Sequence, residues 1–120
     1  MPNILVIGSI NMDMVARIDH IPLQGESVLG EGYSFNPGGK GANSAVAAAR
    51  LGGKVSFAGC IGRDDYGKAL RKVLQDENVD DALLAETADA PTGYAPILVL
   101  KNGQNGIIVF PGANQRIVPA

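Results

Sequence analysis

The sequence predicts an α/β fold, a parallel sheet with helices packed on it and a separate, smaller antiparallel sheet beside it. Three observations carry that expectation. The runs "NILVIGS" (3–9) and "KVSFAGCIG" (54–62) are continuously apolar, as strands covered on both faces are. Helical patterns separate and follow them, near 41–51 and 64–79, giving the β-α-β-α order of right-handed crossover units. Further on, two apolar runs flank Asn102-Gly103, the strongest short hairpin signal.

Taken in order, "NILVIGS" ends in glycine and reads as the first core strand. "MVARI" (14–18) and "SVLGEGYSF" (27–35) are more polar and are separated by "HIPLQGE", with Pro22 and Gly25, so they suit exposed strands of a smaller sheet. From Gly41 the chain turns alanine-rich, with Gly52 and Gly53 available as a left-handed stop. Apolar residues nearly encircle that helix, which predicts a buried one. In "DDYGKALRKVLQDENV" (64–79), Tyr66, Leu70, Val73 and Leu74 recur on one face, and the acidic start favours the helix dipole. A polar loop then leads to the hairpin. Pro96 has no N–H for a ladder, so its strand is expected at an edge, or with Pro96 turned from its partner.

The chain has 120 residues, the size of one domain, and 46% of them are apolar. Tryptophan is absent, so aliphatic residues must build the core. Ten basic against twelve acidic residues leave a net charge of -2, which argues against a nucleic-acid surface. A single cysteine, Cys60, points to a reducing compartment. "MPNILVIGSINMD" lacks the basic and long apolar regions of a signal peptide, and no apolar run approaches the roughly 20 residues of a membrane span. A cytoplasmic protein with no membrane partner is expected.

The stretch "FNPGGKGAN" (35–43) resembles a phosphate loop only at first sight. With Lys40 as the lysine of a Walker motif, position 34 should be glycine and is serine, and position 41 should be Ser or Thr and is Gly41. The dinucleotide spacing G-x-G-x-x-G fails as well. Glycines here still let a ligand approach the backbone closely, and a helix starting here aims free N–H groups at the same spot. Lys40 and Asn43, three apart, share that helix face. A tight turn with a solvated lysine is the plainer alternative. In "GSINMD", Asn11 and Asp13 are two apart and share one face of an extended chain, past the end of the first strand, where open α/β sheets bind ligands. An amide beside a carboxylate suits adjacent sugar hydroxyls, although an Asx turn would also explain the pair.

Together, "GSINMD", then about 25 residues, then "PGGKGANSAVAAARLG", "IGRDDYGKALRKVL", the "TG" strand and "PGAN" (111–114) resemble the amino-terminal part of the ribokinase family, the PfkB-type carbohydrate kinases. The resemblance covers essentially the whole chain. It implies a doubly wound, Rossmann-like sheet, here truncated, with a β lid over the sugar through which such kinases dimerise. The core would be residues 1–10 and 37–91, and the lid about 11–36 and 92–110. Asn11 and Asp13 would bind sugar hydroxyls, Gly39, Lys40 and Asn43 would close the other side, and Ala95, Ile97 and Val109 would cover it. The implied reaction moves the ATP γ-phosphoryl to the primary hydroxyl of a pentose, D-ribose first, with Mg²⁺ and a monovalent cation (K⁺) nearby. The family's "GAGD"-like catalytic motif is not found in the chain, which stops at "RIVPA" where the family normally enters another helix, so the ATP-binding half is expected to be absent. The catalytic, cofactor and metal residues would then lie outside it. A non-catalytic sugar-binding or dimerising fragment, and a related fructose or nucleoside kinase, remain alternatives.

Three other features read as structural. His20 has no second His or Cys near it for a metal, Cys60 lies in a buried strand, and "RDD" (63–65) suits helix capping.

Overall fold

The computed structural model describes residues 3–117, so the first two residues of the expected core and the last three of "RIVPA" lie outside the described residues. In chain order come β1 (Asn3–Ile7), β2 (Asn11–Ile18), β3 (Gly32–Gly38), α1 (Lys40–Arg50), β4 (Lys54–Gly62), α2 (Asp65–Asp76), β5 (Leu84–Thr87), β6 (Gly93–Leu100) and β7 (Asn105–Ile107). A 3-10 turn, Gly112–Arg116, follows. No described helix is long and apolar enough to cross a membrane.

The expected parallel sheet is present, with order β1-β4-β5. Val55, Phe57 and Ile61 alternate onto one face of β4. There they join Ala42 and Ala45 of α1, Leu70 and Leu74 of α2, and Leu84 of β5 in one apolar cluster. Both helices thus pack on the same side, because the two crossovers step across the sheet in one direction and share one hand. The opposite face is barer than a strand covered on both sides would be. Ile4 and Val6 of β1 pack on the cluster, while Leu5 and Ile7 are 54% and 67% exposed. On that face the 3-10 turn packs against β4, where Cys60 and Ala113 are fully buried. The alanine-rich helix α1 is likewise buried on one side only, through Ala42 and Ala45. Four-residue β5 falls in the segment read as a polar loop. Leu84 is its single buried side chain, and that is too little for a periodic signal.

The second sheet has order β3-β2-β6-β7. Its outer pairs are antiparallel as expected, while the central pair, β2 with β6, is parallel. Geometry requires this, since β2 and β6 both continue from the ends of parallel core strands, β1 and β5, after short connections. The early lid strands also start elsewhere than the apolar pattern suggested: β2 already begins at Asn11, and β3 runs from Gly32 to Gly38. Strand β6 is interior, with Pro96 facing β7. The Pro96 carbonyl accepts from the Ile108 amide at 3.0 Å but no N–H answers it, and β7 ends at Ile107. The pairing resumes only at Tyr94 and Phe110, which exchange two hydrogen bonds. The hairpin itself closes through a loop over 101–104, with Gly103 at φ 88.

Successive lid residues alternate between two faces. Tyr33, Phe35, Tyr94 and Phe110 fall on one of them. With Tyr66 of α2 they form a file of rings, Tyr33–Phe35–Tyr66–Tyr94–Phe110, with centroids 5.6–6.4 Å apart, and Tyr66 lies flat on Tyr94. Each such pair contributes about 0.5–1.5 kcal/mol beyond its area, tying the lid to α2.

The base of β6 is held by Asp64, the N-cap of α2. Its carboxylate accepts from the Gly67 amide at 2.8 Å, the Thr92 amide at 2.9 Å and the Thr92 hydroxyl at 2.5 Å. Thr92 in turn accepts from the Gly62 amide. Burial raises the Asp64 pKa, but the hydrogen bonds from Thr92 and Gly67 outweigh it and hold the carboxyl below its ordinary value. Replacing Asp64 by Ala should destabilise the protein by about 1–3 kcal/mol at pH 7, from the lost cap and the orphaned Thr92 donors. Because the folded pKa is depressed, that contribution is complete above the unfolded value of 3.8 and is lost as pH falls through the folded one. Urea titrations of both proteins should therefore differ at pH 7 and converge at strongly acidic pH. An equal gap at both would contradict the capping account.

Candidate functional site

Where the two sheets meet, a cleft of about 350 Å³ opens. Ser9 and Gly39 form its floor, Lys40 and Asn43 of α1 one wall, and lid strands β2, β6 and the segment after β7 the other. All eight residues singled out in the sequence line it: Asn11, Asp13, Gly39, Lys40, Asn43, Ala95, Ile97 and Val109. Four lining residues were not anticipated as site residues: Ser9, Ile107, Pro111 and Asn114.

Strand register explains the convergence on the lid side. Asn11, Asp13 and Val15 pair with Gly93, Ala95 and Ile97, and Ile97 pairs with Ile107, so alternate residues of three strands share one face. Asn11 and Asp13 thus project side by side, as expected for an extended chain, from the start of β2. Across the cleft, Gly39 precedes α1 at φ 94 and leaves the helix without a side-chain cap. That positive φ lets the chain leave β3 and start a helix at once, and a Cβ there would run into Ser9 and Ile10. The Ala42 amide is taken by Ser9 O and the Asn43 amide by Gly39 O, while the Lys40 and Gly41 amides have no partner among the described residues.

Asp13 carries the electrostatic signature of the cleft. Burial alone pushes its carboxyl above the ordinary value, since no described donor compensates it. Lys40 is exposed and joins none of the ion pairs found among the described residues. A half-buried acceptor and an uncommitted cation thus line the same cleft, an arrangement suited to a neutral, hydroxyl-rich molecule that donates to one group and accepts from the other.

The Asn11 amide is also held. Its Oδ1 accepts from Asn114 Nδ2 at 2.7 Å, and Gly93 makes room, because a Cβ there would overlap both groups. Sequence reasoning used "PGAN" for resemblance and assigned Asn114 no role; 103 residues separate it from Asn11.

A larger hollow of about 550 Å³ lies between the helices, lined by Val46, Leu70, Val73 and Leu74. Its charged rim is already paired, Arg50 with Glu77 at 2.6 Å, so convergent free polar groups mark the smaller cleft as the candidate site. The remaining sequence candidates sit apart from it. His20 bridges Asp19 and Glu26 at the exposed lid tip, and Cys60 is buried, its thiol pushed up by that burial. No group of three or more potential metal ligands occurs among the described residues.

The fold and site define a class: a two-sheet α/β protein with a polar-lined cleft between a parallel core and a β lid. Comparison narrows it, since the family model for pfkB family carbohydrate kinases matches residues 1–120, and the chain belongs to that family. It is 47% identical over 120 residues to the ribokinase of Bacillus subtilis (strain 168), matching all of this chain and 41% of that one. Among solved structures, it is similar to Arabidopsis thaliana ribokinase complexed with ribose and ATP, at TM-score 0.86 and 34% identity over 94% of this chain and 36% of that one. It also matches a ribokinase from Cryptococcus neoformans var. grubii in complex with ADP, at TM-score 0.83 and 37% identity, over 94% and 35% of the two chains. The chain therefore spans roughly two fifths or less of the length of these relatives.

Asp13 offers a test that needs no ligand. Its folded pKa lies above the unfolded 3.8, so the folded protein pays nothing for it at low pH, where both states are protonated. The penalty sets in as pH rises between the two values and is complete above the folded one. Asp13→Asn should therefore raise the melting temperature slightly at pH 7 and leave it unchanged near pH 3. A drop at pH 7 would show that the carboxylate is stabilised in the free protein.

Proposed function

We propose that the full-length protein transfers the γ-phosphoryl of ATP to the primary hydroxyl of a pentose, D-ribose giving ribose 5-phosphate, and that this chain supplies the sugar-binding half. The observation carrying the reading is the meeting of Asn11 and Asp13 with Lys40 and Asn43 across one cleft, in a chain of the carbohydrate kinase family. In this reading Asp13 accepts from two neighbouring hydroxyls and Asn11 completes the pair. The Gly39 segment, Lys40 and Asn43 hold the opposite edge of the sugar. Ala95, Ile97 and Val109 lie over it and keep water from the transferred group. Holding the primary hydroxyl in line with the phosphoryl group is the main service such a site renders.

A free sugar suits the cleft better than a nucleoside. Its lining is aliphatic and polar, while the lid aromatics lie on the other face of the sheet, so no ring in residues 3–117 is placed to stack on a base. The proposed division puts the core at 1–10 and 37–91 and the lid at 11–36 and 92–110. ATP supplies the phosphoryl group when bound, and Mg²⁺ and K⁺ are the ions expected with it. Among the described residues no group of three or more His, Cys, Asp or Glu side chains is available to hold Mg²⁺.

A coupled assay with ribose, ATP and Mg²⁺ tests the reading. The full-length protein should turn over, and Asp13→Ala should weaken ribose binding by roughly 2–4 kcal/mol, since it removes charged hydrogen bonds. Residues 1–120 alone should show no turnover, because the catalytic aspartate is proposed to lie beyond them. Ribose affinity unchanged in Asp13→Ala, or steady turnover by residues 1–120, would refute the assignment.

The lid also suits a homodimer. Ile97, Val99 and Ile107 share its cleft-side face, and Ile107 and Val109 are each 58% exposed. A four-stranded sheet with apolar residues on both faces needs cover. Light scattering of the full-length protein should give a dimer, and Ile107→Asp should dissociate it. A monomer at micromolar concentration would count against the pairing.

A further inference from the structure

We propose that Asn114 is a positioning residue for the sugar site, acting through Asn11 by fixing which end of the Asn11 amide faces the cleft. The inference rests on the sugar-binding reading above and extends it to a residue outside the core and lid strands.

A backbone N–H can only donate, so the Asn114 atom 2.9 Å from the Ile10 amide is its carbonyl oxygen. Its Nδ2 must then point the other way. The two hydrogens of that nitrogen are shared among three acceptors, the Ile10 carbonyl at 3.2 Å, the Pro111 carbonyl at 3.0 Å and Asn11 Oδ1, the shortest, at 2.7 Å. The Asn114 amide therefore grips both backbone groups of Ile10, as a neighbouring strand would, and cannot turn over without losing its contacts to the backbone of Ile10 and Pro111. Its orientation sets that of Asn11, whose Oδ1 is occupied. Asn11 Nδ2 has no acceptor among the described residues, and Asn11 lines the cleft.

The cleft consequently presents a donor from Asn11 beside two acceptor oxygens from Asp13. One sugar hydroxyl is served by both, accepting from the amide and donating to the carboxylate. With Asn11 turned over, two acceptors would compete for the same hydroxyl proton. Gly93 supports the arrangement from below, since any side chain there would occupy the space where the two amides meet.

The test uses the full-length protein and compares Asn114→Ala with Asn114→Asp, the latter keeping the acceptor for the Ile10 amide and nearly the same volume. Either change should raise the ribose KM about tenfold, the scale of one hydrogen bond near 1.4 kcal/mol, and leave the ATP KM unaltered. In an Asn11→Ala background, Asn114→Ala should change the ribose KM by less than about twofold, because the residue acts through Asn11. An equal rise in both backgrounds would make Asn114 a packing residue and overturn the proposal. Should Asn114→Ala fail to fold, Asn114→Asp carries the same comparison. If the wild-type protein does not bind ribose, the function reading fails, and the coupling is read without ligand from the Asn11 side-chain amide resonances. They should shift in Asn114→Asp, and unchanged Asn11 resonances would overturn the positioning role by themselves.

Discussion

Twice the chain leaves the parallel sheet for the lid, and each crossing is held by a side chain where a strand partner would otherwise stand. Asn114 pairs with the backbone of Ile10, and Asp64 takes the Thr92 amide and hydroxyl. Buried backbone groups at a bend between two sheets would otherwise lack partners, at a cost of about 1–3 kcal/mol each. The cleft depends on this, because Asn11 and Gly93 are the first residues beyond the two crossings. A shift of either strand by one residue would exchange Asn11, Asp13, Ala95 and Ile97 for the opposite face.

The cleft's two sides are built by different means. On the lid side, strand alternation delivers rigid, regularly spaced groups. On the core side, one glycine in a left-handed conformation lets a strand become a helix within a single residue, which brings Lys40 and Asn43 to the same cleft. The combination explains how a site can be assembled from short segments far apart in the chain and still have little freedom to rearrange.

Much of this was legible in the sequence where local chemistry decided the outcome. The Gly52 stop of α1, the Asp64 cap and the Asn102-Gly103 hairpin each need only neighbouring residues, and each is where the pattern put it. Asn11 with Asp13 and Lys40 with Asn43 were legible because period-two and period-three spacing fix shared faces, and Gly39 because glycine permits close backbone approach. Ala95, Ile97 and Val109 were reached only through the resemblance to one family. What stayed hidden was non-local. The parallel pairing of β2 with β6 follows from where two core strands end, the exposure of Leu5 and Ile7 depends on what lies beside β1, and Asn114 reaches Asn11 across most of the chain. Short β5 was missed because one inward leucine does not make a period.

The file of rings has a use that has nothing to do with binding. This chain contains no tryptophan and three tyrosines, and all three, Tyr33, Tyr66 and Tyr94, stand in that file between the lid and α2. Near-ultraviolet emission and dichroism from these residues therefore originate at the seam where the lid meets the core. The stacked Tyr66–Tyr94 pair would couple as chromophores while the seam is shut and uncouple when it parts, which makes the lid's posture visible by light without any added label.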